Sequence, residues 1–178
     1  MLTFPKVREE HLELIMGWRS KSEVNAGMFT HVTYDMDAQR KWFRTVSTDP
    51  ACRYWLISYG DRPIGVISLE QISWTYRRCS ASYYVGEAEY RQLGGIVPLY
   101  LYNYVFGRLK LHKMFGEVLA SNETVLRIHR MHGYREVGRY KDHVCRAGQF
   151  EDVVLVELLA ETWFAQGRYR HFVAEFEE

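Results

Sequence analysis

Residues 113–134, KMFGEVLASNETVLRIHRMHGY, hold a strand, a helix and a chain reversal in one unbroken run. Lys113 to Leu119 predicts a strand. Ser121 is suited to cap a helix from Asn122 to about His132, and Gly133 supplies its stop. Asn122, Val125, His129 and His132 recur close to the helical period, so Asn122 and His129 share a face about two turns apart, roughly 10 Å. One end of that face is free to bind while the other reacts. A neutral imidazole can accept or donate a proton near pH 7; a histidine at the edge of a core, satisfied by a backbone carbonyl, fits the same position.

Upstream of this run, Ser80 to Val85 predicts a strand that passes through Gly86 into a polar loop, Glu87 to Gly95. An apolar helix follows from about Ile96 to Leu109, where Pro98 is tolerated because it lies in the first turn. Within the loop, Glu89-Tyr90-Arg91-Gln92-Leu93-Gly94-Gly95 precedes the helix start. Glycines let backbone N–H groups approach a ligand closely, and the positive end of a helix dipole favours a pyrophosphate. An ordinary strand-to-helix turn that needs glycine for its backbone angles reads the same way.

The remaining segments alternate in type. Leu2 to Val7 predicts a short strand, Glu9 to Arg19 a helix, Ser20 to Tyr34 a loop or broken helix able to shape a substrate site, and Asp35 to Val46 a further helix. Tyr54 to Tyr59 and Ile64 to Ile72 predict a hairpin closed by the turn at 60–63. Strands at Tyr134 to His143 and Phe150 to Leu159 are joined through Ala147-Gly148. No repeat or linker interrupts the pattern, so one mixed α/β domain spans residues 1–178.

Composition narrows the function classes. A net charge of +1 over 178 residues provides no nucleic-acid footprint, and no apolar run approaches a membrane span. Cys52, Cys79 and Cys145 are odd in number and lack C-x-x-C spacing, which predicts reduced thiols, no zinc site and, with no export signal visible, a cytoplasmic protein. His129 and His132 form an i, i+3 pair without a carboxylate or cysteine in the pattern to complete a metal site. No serine or cysteine stands in a nucleophile elbow. The aromatic tail, from Trp163 and Phe164 to Phe172 and Phe176, is equally suited to packing on a second copy, giving a homodimer, or on its own sheet.

The order of these pieces resembles the GNAT superfamily of acetyltransferases over nearly the whole chain. The likeness is strongest from Leu109-Lys110-Leu111-His112-Lys113 through Glu117-Val118-Leu119-Ala120-Ser121-Asn122 to His129 and Gly133-Tyr134, where the family has Asn-x-x-Ala-x-x-Leu-Tyr followed by Gly-Phe. The resemblance implies a mixed, mostly antiparallel sheet with helices on both faces, and acetyl-CoA as co-substrate. It implies that the loop with Arg91, Gln92, Leu93, Gly94 and Gly95 binds the pyrophosphate. The family's Gln/Arg-x-x-Gly-x-Gly/Ala pattern is only partly kept, because Ile96 replaces its last small residue when the motif starts at Arg91. Tyr84, Val85, Gly86, Asn122 and His129 complete the implied cofactor contacts, with N–H groups near Tyr84 to Gly86 polarising the thioester carbonyl. His129 stands where the family has its tyrosine, and as an imidazolium it would serve as general acid to the departing thiolate; Tyr83, Tyr84, Tyr134 and Tyr140 are rival donors.

A narrower resemblance is to the nucleotide-aminosugar N-acetyltransferases of pseudaminic-acid biosynthesis, which serve flagellin glycosylation. It is carried by Trp18-Arg19-Ser20 with Met28, by Ile64 to Ile72, and by Arg139 to Val144 with Glu151-Asp152-Val153. It implies transfer of acetyl to the 4-amino group of a UDP-linked 4-amino-4,6-dideoxy sugar, a small-molecule acceptor held by Arg19, Met28, Glu70, Gln71 and Tyr83. Arg19 would pair with the diphosphate, aromatics around the broken helix would stack on uracil, and Glu70, Glu117 or a water between them would take the amine proton. The same arrangement is shared by ribosomal-protein and N-terminal peptide acetyltransferases, and a CoA-binding sensor without turnover is a third reading.

Overall fold

The computed structural model describes residues 1–178. A short strand β1 (Leu2–Thr3) opens the chain, and a 3₁₀ turn at Glu9–His11 leads into α1 (Leu12–Arg19). After α2 (Ser22–Asn25) and α3 (Met36–Thr48) come β2 (Arg53–Tyr59), β3 (Arg62–Ser73) and β4 (Arg78–Val85). A long 3₁₀ segment, Ala88–Gly95, joins β4 to α4 (Val97–Asn103), which continues as a π-helical turn at Tyr104–Arg108. Then follow β5 (Lys113–Leu119), α5 (Glu123–Met131), β6 (Arg135–Arg146), β7 (Gln149–Leu159) and α6 (Ala160–Gln166).

The strands form one sheet in the order β1-β2-β3-β4-β5-β7-β6. Every neighbouring pair is antiparallel except β4 with β5. Strand alternation sorts the side chains to two faces. Trp55, Ile57, Ile67, Leu69 and Cys79 enter a large core with Leu101, Val105, Leu126 and Trp163, from α4 to α6. Leu56 and Val66 enter a smaller one with Leu12, Ile15 and Trp18 of α1, flanked by Trp42, Tyr54 and Tyr84. Helices thus cover both faces, as the resemblance implied, and Ile64 to Leu69 are all buried because neither side of β3 meets water.

Three departures from the sequence reading have an identifiable local reason. The first strand ends early because Pro5 has no N–H to continue the ladder, and its carbonyl only accepts from Leu56 N at 2.9 Å. Ser121 does not cap α5. Its hydroxyl and N–H both donate to Glu151, and the cap is Asn122, whose Oδ1 accepts from Val125 N at 3.3 Å. The helix from Ile96 loosens at its end, where Leu109 N donates to Tyr104 O at 2.9 Å across five residues.

The aromatic tail packs on its own sheet. Phe176 stacks on Phe4 with centroids 4.2 Å apart and on Tyr104 at 4.5 Å, while Trp55 Nε1 donates to Glu177 O at 2.7 Å. Trp163, buried, donates from Nε1 to Asn103 Oδ1 at 2.9 Å. Phe176→Ala is therefore expected to lower unfolding stability by about 3 kcal/mol, measured by urea denaturation of the purified chain; a change under about 1 kcal/mol would mean that the tail is not part of the core.

Candidate active site

The site begins where two strands separate. β4 pairs with β5 only over Arg78–Ser80 against Lys113–Phe115. Beyond that point Ala81 to Val85 keep β3 as partner, and Gly116 to Leu119 keep β7, so the sheet opens into a V. Gly86 N donates to Ile64 O at 2.8 Å on the β3 side. Strand alternation then turns the N–H groups of Val85 and Tyr83 toward the open side. A cleft of about 940 Å³ fills the gap and runs from the 3₁₀ segment to α2 and α3.

One half of the cleft is formed by Tyr83, Tyr84, Val85, Arg91, Gly94, Asn122, Val125 and His129. The 3₁₀ segment is held in place by Tyr83, whose hydroxyl donates to Gly94 O at 2.8 Å. Gly94 has no positive φ, and a Cβ built on it would meet nothing within 4 Å. Neither backbone strain nor protein packing asks for glycine there, and the bare loop wall suits the close approach of a phosphate chain. Arg91 flanks it and donates to Glu23 Oε1 at 2.9 Å, an exposed ion pair across the mouth. This half fits an extended pyrophosphate-bearing ligand.

Four residues assigned to the cofactor do not line this wall. Gly86 serves packing: a Cβ there would lie 2.3 Å from the Trp18 ring, and Trp18 Nε1 donates to Glu87 Oε1 at 2.7 Å. Because its N–H is already bonded to Ile64, Gly86 is not free to polarise a carbonyl. Gln92, Leu93 and Gly95 lie on the 3₁₀ segment outside the cleft lining. Leu93 packs against the large core, and the Gly95 backbone faces the His132 imidazole.

The other half holds Arg19, Met28, Phe29, Trp42, Tyr54, Ser68, Glu70 and Gln71. Ser68 Oγ donates to Glu70 Oε1 at 2.8 Å, which fixes the carboxylate at the cleft wall. Gln71 follows in a left-handed conformation, φ 52°, where the β3–β4 register slips. Trp42 meets Tyr54 edge to face at 5.0 Å. Arg19 donates from Nη1 to Asn25 Oδ1 at 3.0 Å, and from Nη2 to Thr30 O at 3.0 Å and Thr30 Oγ1 at 3.1 Å. Three of its five N–H groups therefore organise the loop at residues 20–34, and two are left for a ligand. Burial lowers the Arg19 pKa, with the Tyr84 hydroxyl opposing.

Polarity in the cleft corrects one expectation. Burial, reinforced by the neighbouring His132, pushes His129 down to about 4, and burial pushes His132 down to about 4 as well. Nδ1 of each is buried without a partner. His129 is therefore neutral at pH 7, and the imidazolium read from the sequence is not available there. Among the rival donors, burial pushes Tyr83 up to about 12 and raises Tyr84 and Tyr134 further. Tyr134 lies 4.4 Å from the His129 ring in the cleft, while Tyr140 is exposed on β6 and does not reach it.

The sequence reading singled out neither Tyr54 nor Ser68 as a site residue. The pairing of Tyr54 with Ser68 across β2 and β3 brings both beside Glu70. Period-two alternation put them on one face, but only the register identifies which face meets the cleft.

Residues 1–135 of the 178 match the model of the acetyltransferase (GNAT) domain, and the chain belongs to this family. It is an acetyltransferase whose acetyl donor is acetyl-CoA. The chain is 24% identical to acetyltransferase PseH of Campylobacter jejuni (strain 81-176) over 144 residues, 80% of this chain and 89% of that protein. The same-named protein of C. jejuni strain ATCC 700819 is 23% identical over 145 residues, with the same coverage. Among solved structures, spermidine N-acetyltransferase from Vibrio cholerae in complex with CoA and spermine superposes with a TM-score of 0.84 at 18% identity, covering 92% of this chain and 98% of that one. At that identity the superposition establishes the fold alone. No helix is long and apolar enough to cross a membrane.

The two depressed histidines set a pH window. Their folded pKa values lie below the ordinary value near 6.5, so the unfolded chain binds more protons on acidification. The stability of the neutral imidazoles is complete above about pH 6.5 and is lost as pH falls toward 4. Thermal melts are expected to show a falling Tm between pH 6.5 and 4.5, with His132→Phe flattening that slope; an equal slope in the variant would count against the buried neutral pair.

Proposed function

We propose that the chain transfers acetyl from acetyl-CoA to the 4-amino group of a UDP-linked 4-amino-4,6-dideoxy sugar. The observation that carries this reading is the acceptor half of the cleft, whose lining combines the aromatic side chains of Phe29, Trp42 and Tyr54 with the Arg19 guanidinium. Aromatic faces suit a nucleobase, and the two remaining Arg19 donors suit a diphosphate. A linear polycation would need several free carboxylates. Of the cleft's carboxylates Glu23 is already paired with Arg91, which leaves Glu70 and Glu117. The likeness to PseH supports the same choice.

In this reading Glu70, held by Ser68, takes the proton from the attacking amine. The Val85 and Tyr83 N–H groups on the open strand edge polarise the thioester carbonyl. A bond forms between the amine nitrogen and the acetyl carbon as the carbon–sulfur bond breaks. His129, neutral, donates a hydrogen bond to the departing sulfur and leaves Glu70 carrying the amine proton.

The test is incubation with acetyl-CoA and a panel of UDP-4-aminosugars, spermidine and peptide amines, with free thiol as the readout. Release with the altrosamine-type sugar is expected. Silence on every sugar, with release on spermidine or a peptide, would overturn the acceptor. Binding of CoA without release on any amine would favour the sensor.

Glu70→Gln is expected to lower kcat at least about 100-fold. His129→Phe is expected to lower it at least about tenfold, with acetyl-CoA affinity nearly intact. Because His129 is already neutral, wild-type kcat should not fall as pH rises through 6.5. A loss of activity there that disappears in His129→Phe would restore the imidazolium.

A further inference from the structure

The loop at residues 20–34 forms one wall of the acceptor half, yet its only regular element is the four-residue α2. Its internal order comes from Asn25, which is 3% exposed. Asn25 Oδ1 accepts from Val32 N at 2.8 Å and from Arg19, while its Nδ2 donates to Val32 O at 3.0 Å. One side chain thus pairs with the Val32 backbone as a neighbouring strand would. This closes the loop on itself but does not fix it to the sheet.

Lys21 Nζ, donating to Gly86 O at 3.0 Å, and the Glu23–Arg91 pair attach its first turn, and a further attachment comes from a residue outside the cleft. Arg146 closes the β6–β7 hairpin, where Ala147 at φ 49° and Gly148 at φ 80° make the tight turn. Its Nη2 donates to Ala26 O at 3.1 Å, a carbonyl left open where α2 ends, and to Asn25 O at 3.3 Å, which also accepts from Met28 N at 3.0 Å. Its Nη1 reaches Glu151 Oε2 at 3.4 Å. The other Glu151 oxygen accepts from both the N–H and the hydroxyl of Ser121, the residue before the α5 cap Asn122. The Ser121 hydroxyl, chief among these donors, holds the Glu151 carboxyl below its usual range. A continuous chain of hydrogen bonds therefore runs from Ser121 through Glu151 and Arg146 to Asn25 and Arg19.

We propose that Arg146 is a positioning residue for acceptor specificity, which locks the loop at residues 20–34 against the β5–α5 junction through the backbone carbonyls of Asn25 and Ala26. The planar guanidinium bonds the loop and Glu151 together, and a lysine, with one nitrogen, cannot span both in the same geometry. The effect falls on the acceptor half, because Arg146 contacts nothing in the acetyl-CoA half. This inference rests on the proposed assignment of the two halves of the cleft.

The experiment compares wild type, Arg146→Ala, Arg146→Lys and Glu151→Gln in two ways. Hydrogen exchange of residues 20–34 reads the lock without any substrate. Steady-state kinetics, with whichever amine the acceptor panel identifies, read its consequence. Arg146→Ala is expected to lose exchange protection in the loop and to raise the acceptor KM about tenfold, leaving the acetyl-CoA KM within about twofold. Arg146→Lys and Glu151→Gln should fall between it and wild type. Unchanged protection overturns the proposal, as does a loosened loop with an unmoved acceptor KM, or an equal rise in both KM values. Failure of the UDP-sugars in the panel would overturn the acceptor assignment alone, since the exchange measurement uses no substrate.

Discussion

The parting of β4 from β5 after three paired residues governs the molecule. A sheet paired along its whole length would have satisfied the edge of β4 with the edge of β5 and left no room between them. Because pairing stops at Ser80 and Phe115, backbone N–H groups at Tyr83 and Val85 face an opening deep in the protein. These preorganised donors lie in surroundings partly shielded from water, where electrostatic interactions are stronger than in bulk. The opening also lets one ligand enter between layers that elsewhere close on apolar cores.

Each half of the opening is then built differently. The half proposed to hold acetyl-CoA relies on rigid secondary structure, with Tyr83 tied to the 3₁₀ segment and Asn122 at the start of α5. The acceptor half relies on side-chain networks, because the chain between α1 and α3 has little regular structure. Arg19 and Asn25 give that loop its internal order, and the hairpin arginine holds it from outside. Such a loop can change its lining while the donor half stays fixed, which is how one fold serves different acceptors.

Burial also changes what the side chains can do. His129 of α5 and His132 just beyond it are conspicuous in sequence as groups that titrate near neutrality, yet both are neutral in the folded protein because their charged forms are poorly solvated. In the proposed reaction, acid–base work falls instead to a carboxylate at the cleft wall. Glu70 is held by a serine that is itself only 2% exposed.

Much of the fold was legible in the sequence, because it depends on local patterns. Apolar runs set off by turn residues marked β2, β3 and β7, the capping and stop residues bracketed α5 to within a residue or two, and the segment from Leu109 to Tyr134 carried the strongest likeness to the acetyltransferase family. Residue type and spacing brought Asn122 and His129 to attention, and the family resemblance brought Arg19 and Glu70. What only the tertiary structure decided was every property that depends on partners distant in the chain: Glu151 takes the Ser121 hydroxyl away from a cap, Trp18 excludes a side chain at Gly86, and Tyr54 meets Glu70 through strand register. The aromatic tail is a further case, since Phe176 finds its place on Phe4, Trp55 and Tyr104 through contacts between opposite ends of the chain. Periodicity and propensity act over a few residues, whereas solvation, register and contact are properties of the assembled chain.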